Sequence, residues 1–198
     1  MNLALFDFDG TITHRETFGA FIRFAAPRRR RVLGAPFFLP LVAGYRLGLI
    51  SGSDIRARVV HFGFRGLHAD ELGRAGTRFA KDILPAIVRP SALERIHWHR
   101  SQGDKVLIVS GALDVYLSPW CKQHGLDLIS SRLHVENGLL TGRFLGSQCV
   151  NAEKSRRVRE LCTPEHFSTI YAYGDTKEDL DMLAMAHRKF YRWQEVVW

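Results

Sequence analysis

Residues 3–13 read Leu3-Ala4-Leu5-Phe6-Asp7-Phe8-Asp9-Gly10-Thr11-Ile12-Thr13, and this stretch decides the fold. An apolar run ends in two carboxylates one residue apart, followed by a glycine and a hydroxyl. Side chains at i and i+2 of an extended chain share a face. Asp7 and Asp9 therefore leave a strand end together, where open α/β sheets place their ligands. Two carboxylates so close repel, and one keeps a raised pKa unless a cation sits between them. The arrangement suits Mg²⁺ with one nucleophilic and one proton-transferring carboxylate. An acidic turn after a strand is the plainer alternative, because Asp-Gly is ordinary turn chemistry.

Three further segments fall in the order that such chemistry requires. Val106-Leu107-Ile108-Val109 stops at Ser110-Gly111, ahead of a helix expected over 112–124. A hydroxyl and free N–H groups at a helix start cradle a phosphate, although an N-cap serine looks the same. Lys154 lies near the start of a helix expected to run to about Cys162. Ile170-Tyr171-Ala172-Tyr173 leads into Gly174-Asp175-Thr176-Lys177-Glu178-Asp179, a second acidic pair opening a helix over 180–186. Each segment alone has a bland explanation in capping or the helix dipole. All four in this order do not.

The combination resembles the haloacid dehalogenase-like phosphohydrolase superfamily, whose four motifs are Asp-x-Asp-x-Thr, a Ser or Thr, a Lys, and Gly-Asp-x-x-x-Asp. Within it the chain looks most like the phosphoserine phosphatase-like branch, and there like the hydrolases grouped around phosphatidylglycerophosphatase C. That likeness extends to Leu140-Thr141-Gly142 and to Lys189-Phe190-Tyr191-Arg192-Trp193. The resemblance implies Asp7 as the nucleophile that forms an aspartyl-phosphate and Asp9 as the acid and then the base. It implies a Mg²⁺ site from Asp7, the Asp9 backbone carbonyl and Asp175, supported by Asp179. It implies Thr11, Ser110, Gly111 and Lys154 around the phosphate. Glu16 and Arg58 match the residues that meet the amine and carboxylate of phosphoserine. The chain departs from that branch at Ser51, at Glu178 in place of an asparagine, and in the apolar stretch 32–50.

Strands are expected over 3–8, 105–109, 126–129, 169–173 and 189–192, with helices over 90–102, 112–124 and 152–162 between them. Such alternation gives a doubly wound, mostly parallel, Rossmann-like α/β sheet. Glu136-Asn137-Gly138 between short alternating segments reads as a β-hairpin. Residues 14–85 read as a helical cap inserted after the first strand, with 1–13 and 86–198 as the catalytic core. Thr13-x-x-Glu16 is a capping-box pattern for the first cap helix.

The 198 residues carry a net charge of +8, 46% hydrophobic and 24% charged residues, which is a globular composition. Cys121, Cys149 and Cys162 form no CxxC pair, so neither a disulfide scaffold nor a zinc site is expected, and a reducing cytoplasm fits. The first apolar run contains Asp7 and Asp9 and follows no basic segment, which predicts no cleaved leader. Much of the positive excess sits in Arg28-Arg29-Arg30-Arg31 without interleaved aromatics, so nucleic acid is not the expected partner.

Residues 32–50 are almost uncharged, with Arg46 alone, but four site segments on both sides of them must meet, so a single span is excluded. Pro36 and Pro40 are expected to break a simple helix there. Two expectations follow. One is a helical hairpin packed in the cap, burying Phe37, Phe38 and Leu41. The other has residues 28–50 lying on an anionic membrane, peripheral at its inner face, with a lipid head-group phosphate such as phosphatidylglycerophosphate as substrate. A small soluble phosphate ester, a phosphotransferase and a catalytically silent binding protein are the competing functions.

Overall fold

Leu3, Ala4, Leu5 and Phe6 are all completely buried, as a strand covered on both faces requires. They form β1 (Leu3–Phe6), the third strand of a six-stranded sheet. The structure, a computed structural model, describes residues 1–197, and of the side chains at 35, 39, 42, 45 and 46 nothing is described. After β1 come four helices, α1 (Phe18–Ala25), α2 (Arg28–Arg46), α3 (Gly52–Phe64) and α4 (Ala69–Asp82). Then follow α5 (Pro90–Ser101), β2 (Lys105–Leu113), α6 (Asp114–His124) and β3 (Asp127–Ser131). A hairpin of β4 (Leu133–Glu136) and β5 (Leu139–Phe144) precedes α7 (Ala152–Leu161). The chain closes with β6 (Ile170–Gly174), α8 (Leu180–Ala184), β7 (Arg188–Tyr191) and β8 (Gln194–Val196).

The sheet order is β3-β2-β1-β6-β7-β8, parallel except for β8, and β4-β5 form a separate antiparallel pair. The expected mixed α/β class with a mostly parallel central sheet is what the chain adopts. Alternation along β1 sends Ala4 and Phe6 to one core and Leu3 and Leu5 to the other. On the first face Phe6 stacks on Tyr173 at 4.2 Å and Tyr173 on Phe190 at 4.6 Å, each pair contributing about 0.5–1.5 kcal/mol beyond its burial. On the other face α7 and α8 supply Val158, Met182 and Leu183.

The inserted helices join the first core through aromatic contacts. Phe21 of α1 meets Phe79 of α4 at 5.3 Å and Tyr116 of α6 at 4.7 Å. A Cβ at Gly76 would lie 2.0 Å from the Val115 carbonyl oxygen, so only glycine lets α4 approach α6 this closely.

Several sequence expectations need correction. β1 ends at Phe6 rather than residue 8, because the chain turns where Asp7 and Asp9 project and Gly10 takes φ +82°. β2 runs on to Leu113, past Ser110 and Gly111, and α6 starts only at Asp114. Thr13 caps no helix: its hydroxyl donates to backbone carbonyl oxygen, with Phe8 and Arg15 both in range, and α1 begins at Phe18. A capping box does form at Thr176 with Asp179. β8 was not expected, because its turn uses positive φ at Arg192 and Trp193, which no glycine announces.

α2 is the largest departure, since it continues through Pro36 and Pro40 as one helix. The two prolines lie four residues apart, on one face, and both are exposed. Water can therefore satisfy the carbonyls they free. Phe38 and Leu41 are half-buried and Phe38 meets Phe62 of α3 at 5.6 Å, but Phe37 is 75% exposed, so the helical hairpin burying all three does not form. Positions 35, 39, 42, 45 and 46 of the predicted apolar stretch fall outside the described side chains. Among the described residues no helix is long and apolar enough to cross a membrane.

Candidate active site

The ends of β1, β2 and β6 and the start of α7 converge on one cavity of about 480 Å³. Asp7 anchors it, its N–H bonded to the Tyr173 carbonyl at 2.9 Å. The Lys154 ammonium, almost completely buried, lies 2.5 Å from Asp7 Oδ1 and 2.6 Å from Asp179 Oδ1. Burial opposes the Lys154 charge, but Asp7 and Asp179 outweigh it and raise its pKa, so it stays an ammonium. Burial and the Asp179 charge push Asp7 above the usual carboxylate range, against the pull of Lys154. Burial acts upward on Asp179 too, yet Lys154 and the Asp175 and Thr176 donors hold it below its ordinary value.

Asp9 lines the same cavity, with one oxygen turned to Thr17. Its Oδ1 accepts the Thr17 N–H at 3.0 Å and the Thr17 hydroxyl at 2.6 Å. The Tyr116 hydroxyl lies 2.8 Å from that of Thr17. Since Thr17 donates to the carboxylate, Tyr116 donates to Thr17, and the three groups form one directed chain. Burial, with the Glu16 charge added, pushes Asp9 up to about 7 despite the two Thr17 bonds. A carboxyl at that value is poised for acid–base work near neutral pH.

One carboxylate oxygen each of Asp7, Asp175 and Asp179 lies within 4.8 Å of the other two. Asp179 is fully engaged: its Oδ2 accepts the Asp175 N–H, the Thr176 N–H and the Thr176 hydroxyl, while its Oδ1 faces Lys154. Asp7 and Asp175 each keep an oxygen outside these bonds. That donor set, two carboxylates beside an already neutralised third, fits a hard divalent cation.

Ser110 is buried on β2, and its Oγ accepts the Ala112 N–H at 3.1 Å. The Ser110-Gly111 segment lining the cavity is thus a strand-end irregularity and not a helix N-terminus. Thr11 does not line the cavity: it is buried behind Asp175 and donates to Asp175 Oδ1 at 3.1 Å, which orients that carboxylate. A Cβ at Gly10 would lie 2.2 Å from Asp175 Oδ2, so the chain must be glycine there.

Glu16 lines the cavity, as expected, and burial raises its pKa while Arg56 pulls it down. Arg58 does not. It is exposed and lines a separate hollow with His61 and Phe144. Arg56, two residues earlier, takes the cavity position and pairs with Glu178 at 2.9 Å and Gln148 at 3.0 Å. About 200° separates two such residues around a helix, so only one of them faces inward. Thr17, Tyr116, Arg56 and Gln148 escaped the sequence reading. Only Arg56 had left a signal there, the spacing of four that continues to Val60 and Phe64.

A family model described as haloacid dehalogenase-like hydrolase matches residues 4–184. The chain belongs to the haloacid dehalogenase-like hydrolases. Protein CicA of Caulobacter vibrioides is 33% identical over 192 residues, covering 96% of this chain and 85% of that protein. A phosphoserine phosphatase of Albidiferax ferrireducens is 34% identical over 104 residues, 49% of this chain and 44% of that protein. Among solved structures, a protein of unknown function from Bordetella pertussis Tohama I superposes with TM-score 0.81 at 20% identity, over 96% and 89% of the two chains. A phosphoserine phosphatase holding a phospho-aspartyl intermediate analogue superposes with TM-score 0.69 at 24% identity, over 96% and 85%. The reaction class expected from the motifs, hydrolysis of a phosphoric monoester, agrees with this family and these relatives.

Proposed function

We propose that the chain is a Mg²⁺-dependent phosphomonoester phosphatase working through an aspartyl-phosphate on Asp7, with 14–85 as a cap over a core of 1–13 and 86–198. The observation that carries this reading is the placement of Lys154. It neutralises Asp179 and one oxygen of Asp7 and leaves Asp7 with Asp175 for a cation.

In the first half-reaction an Asp7 oxygen bonds to phosphorus and the ester P–O bond breaks. Asp9, protonated up to about pH 7, hands its proton to the leaving alkoxide. In the second half Asp9 takes a proton from water, whose oxygen displaces Asp7 and releases inorganic phosphate. Lys154, Ser110 and the Gly111 N–H hold the phosphoryl oxygens, since phosphoryl transfer is mostly positioning and charge neutralisation. Mg²⁺, held by Asp7, Asp175 and the Asp9 backbone carbonyl, supplies further positive charge when bound. Hydrolysis of p-nitrophenyl phosphate that requires Mg²⁺ and is lost in Asp7→Asn supports this. Full turnover in EDTA or in Asp7→Asn overturns it.

A finer reading, a lipid head-group phosphate at an anionic membrane surface, is favoured by α2. Val32, Leu33 and Phe37, with Leu47 and Leu49 just beyond the helix, expose apolar side chains, and Arg28 and Arg29 at its start are exposed. Apolar contact plus about 1 kcal/mol per arginine near anionic lipid is the expected driving force. Under this reading the protein is cytoplasmic and peripheral. Co-sedimentation with phosphatidylglycerol vesicles that weakens with salt supports it, and failure to co-sediment at any salt ends it in favour of a small soluble ester.

A further inference from the structure

Arg56 is the cap's cation at the cavity, and it is already spoken for. Its Nη2 pairs with Glu178 at 2.9 Å, and its Nε donates to Gln148 Oε1 at 3.0 Å. Gln148 is itself fixed, its amide donating to the Ser53 carbonyl at 2.8 Å. The guanidinium is therefore stapled between α3 and the turn that carries Asp175 and Asp179. The pair is largely shielded, with side chains 18% and 34% exposed. Glu178 also reaches toward the phosphate segment, since its Oε2 would lie 4.0 Å from a Cβ placed on Gly111.

A second carboxylate depends on the same cation. Burial raises the Glu16 pKa, Arg56 pulls it down, and Asp175, Glu178 and Asp179 push it up again. One guanidinium thus pairs with Glu178 and draws electrostatically on Glu16, and all three line the same cavity. A leaving group that brings its own carboxylate to Arg56 must compete with Glu178 for the guanidinium, beside a phosphate already carrying negative charge. Removing Glu178 from Arg56 to make room would leave a partly buried carboxylate without its partner.

We propose that Glu178, by holding Arg56, makes this site select against phosphate esters with a carboxylate on the carbon adjacent to the ester carbon, and in favour of esters with only an uncharged or amino group on that carbon. The proposal rests on the phosphomonoesterase reading and narrows its substrate class. It assigns Glu178 as a specificity-determining residue that acts through Arg56 and touches neither the metal nor the phosphoryl group.

Phosphoethanolamine and phosphoserine differ only by a carboxylate and make the comparison direct. Competition of each against p-nitrophenyl phosphate, with the wild-type protein and Mg²⁺, is expected to favour phosphoethanolamine by about 10-fold or more. Glu178→Gln keeps the side-chain shape, frees the guanidinium charge and is expected to bring the ratio to about one or invert it. Arg56→Gln is expected to leave phosphoserine disfavoured. Turnover of p-nitrophenyl phosphate reads the reaction, whereas the ratio reads the selection, so the two can fail separately. Calorimetric binding of both esters to the Asp7→Asn protein gives the ratio without turnover. A wild-type preference for phosphoserine, or a ratio unmoved in Glu178→Gln, overturns the proposal. So does a Lys177→Ala protein whose ratio moves as far as that of Glu178→Gln, since Lys177 lines the same cavity from the core side.

Discussion

The hydroxyl of Thr17 stands 2.6 Å from Asp9 Oδ1, and the backbone N–H of the same threonine stands 3.0 Å from the same oxygen. Both donors favour the ionised carboxylate, while burial and Glu16 oppose it. Replacing Thr17 by Val removes the hydroxyl and leaves the N–H. The Asp9 pKa then rises above about 7, and the basic limb of the kcat/KM profile, which needs Asp9 protonated, moves to higher pH. A hydrogen bond to a charged group is worth about 1.5–3 kcal/mol, so lost positioning costs roughly 10- to 100-fold in kcat. An unmoved pH profile in Thr17→Val would detach Thr17 from Asp9.

Asp9 also makes stability depend on pH. Its folded pKa is about 7, against 3.8 for the unfolded group, so the native state binds the proton more tightly. The sign is that of a raised acid: stability is fully present below about pH 4 and declines as pH rises toward 7. Asp9→Asn removes that decline, and its advantage over wild type at pH 8, measured without Mg²⁺, is on the order of a few kcal/mol at most. Urea unfolding of both proteins at pH 4 and pH 8 reads this directly. Parallel pH dependences would show that Asp9 titrates normally.

Lys154→Met deletes the ammonium between two buried carboxylates. Breaking one side of a buried pair costs about 3–5 kcal/mol, and here both Asp7 and Asp179 lose their partner. The expected variant is destabilised at neutral pH, recovers part of that stability in acid as the carboxylates protonate, and turns over at least 1000-fold more slowly. Thermal melts at pH 5 and pH 8 check the first two points. A loss of activity with no pH-dependent loss of stability would place Lys154 outside the charge cluster.

The four consecutive arginines divide into two kinds. Arg30 Nη1 lies 2.7 Å from the Arg65 carbonyl oxygen, with the Gly63 carbonyl also in range, and Arg31 donates to the Arg23 carbonyl. Arg30→Ala should lower the melting temperature by a few degrees through about 1–2 kcal/mol. Arg28→Ala and Arg29→Ala should leave it unchanged, because a surface charge away from such contacts contributes little. Equal effects at all four positions would contradict this division.

The placement of the acidic pairs was readable where the chain brings them close in sequence. Asp7 and Asp9 follow one strand, Asp175 and Asp179 follow another, and apolar runs mark both strands. What could not be read is contact between residues with no common period. Nothing near Thr17 or Tyr116 in the chain says that they meet, 99 residues apart, behind Asp9. Arg58 was named through the family resemblance alone, and the apolar positions Ile55, Val59, Val60 and Phe62 define no single helix face that could have corrected it; burial of Val60 and Phe64 shows that Arg56 faces inward. α2 was misjudged for a different reason. Proline weakens a helix through its lost N–H, and sequence does not tell whether the freed carbonyl meets water.

The strand that leads into Asp7 is synthesised well before both of the strands that flank it. β1 sits between β2 and β6, whose pairing with it begins at Leu3↔Lys105 and Leu3↔Ile170. At about 5–20 residues per second, a ribosome exposes Leu3–Phe6 for many seconds before either neighbour exists. During that time Asp7 travels beside this apolar run as a built-in gatekeeper charge, which breaks an otherwise aggregation-prone segment. A carboxylate placed at the candidate site thus also serves the unfinished polypeptide, by helping to keep it in solution.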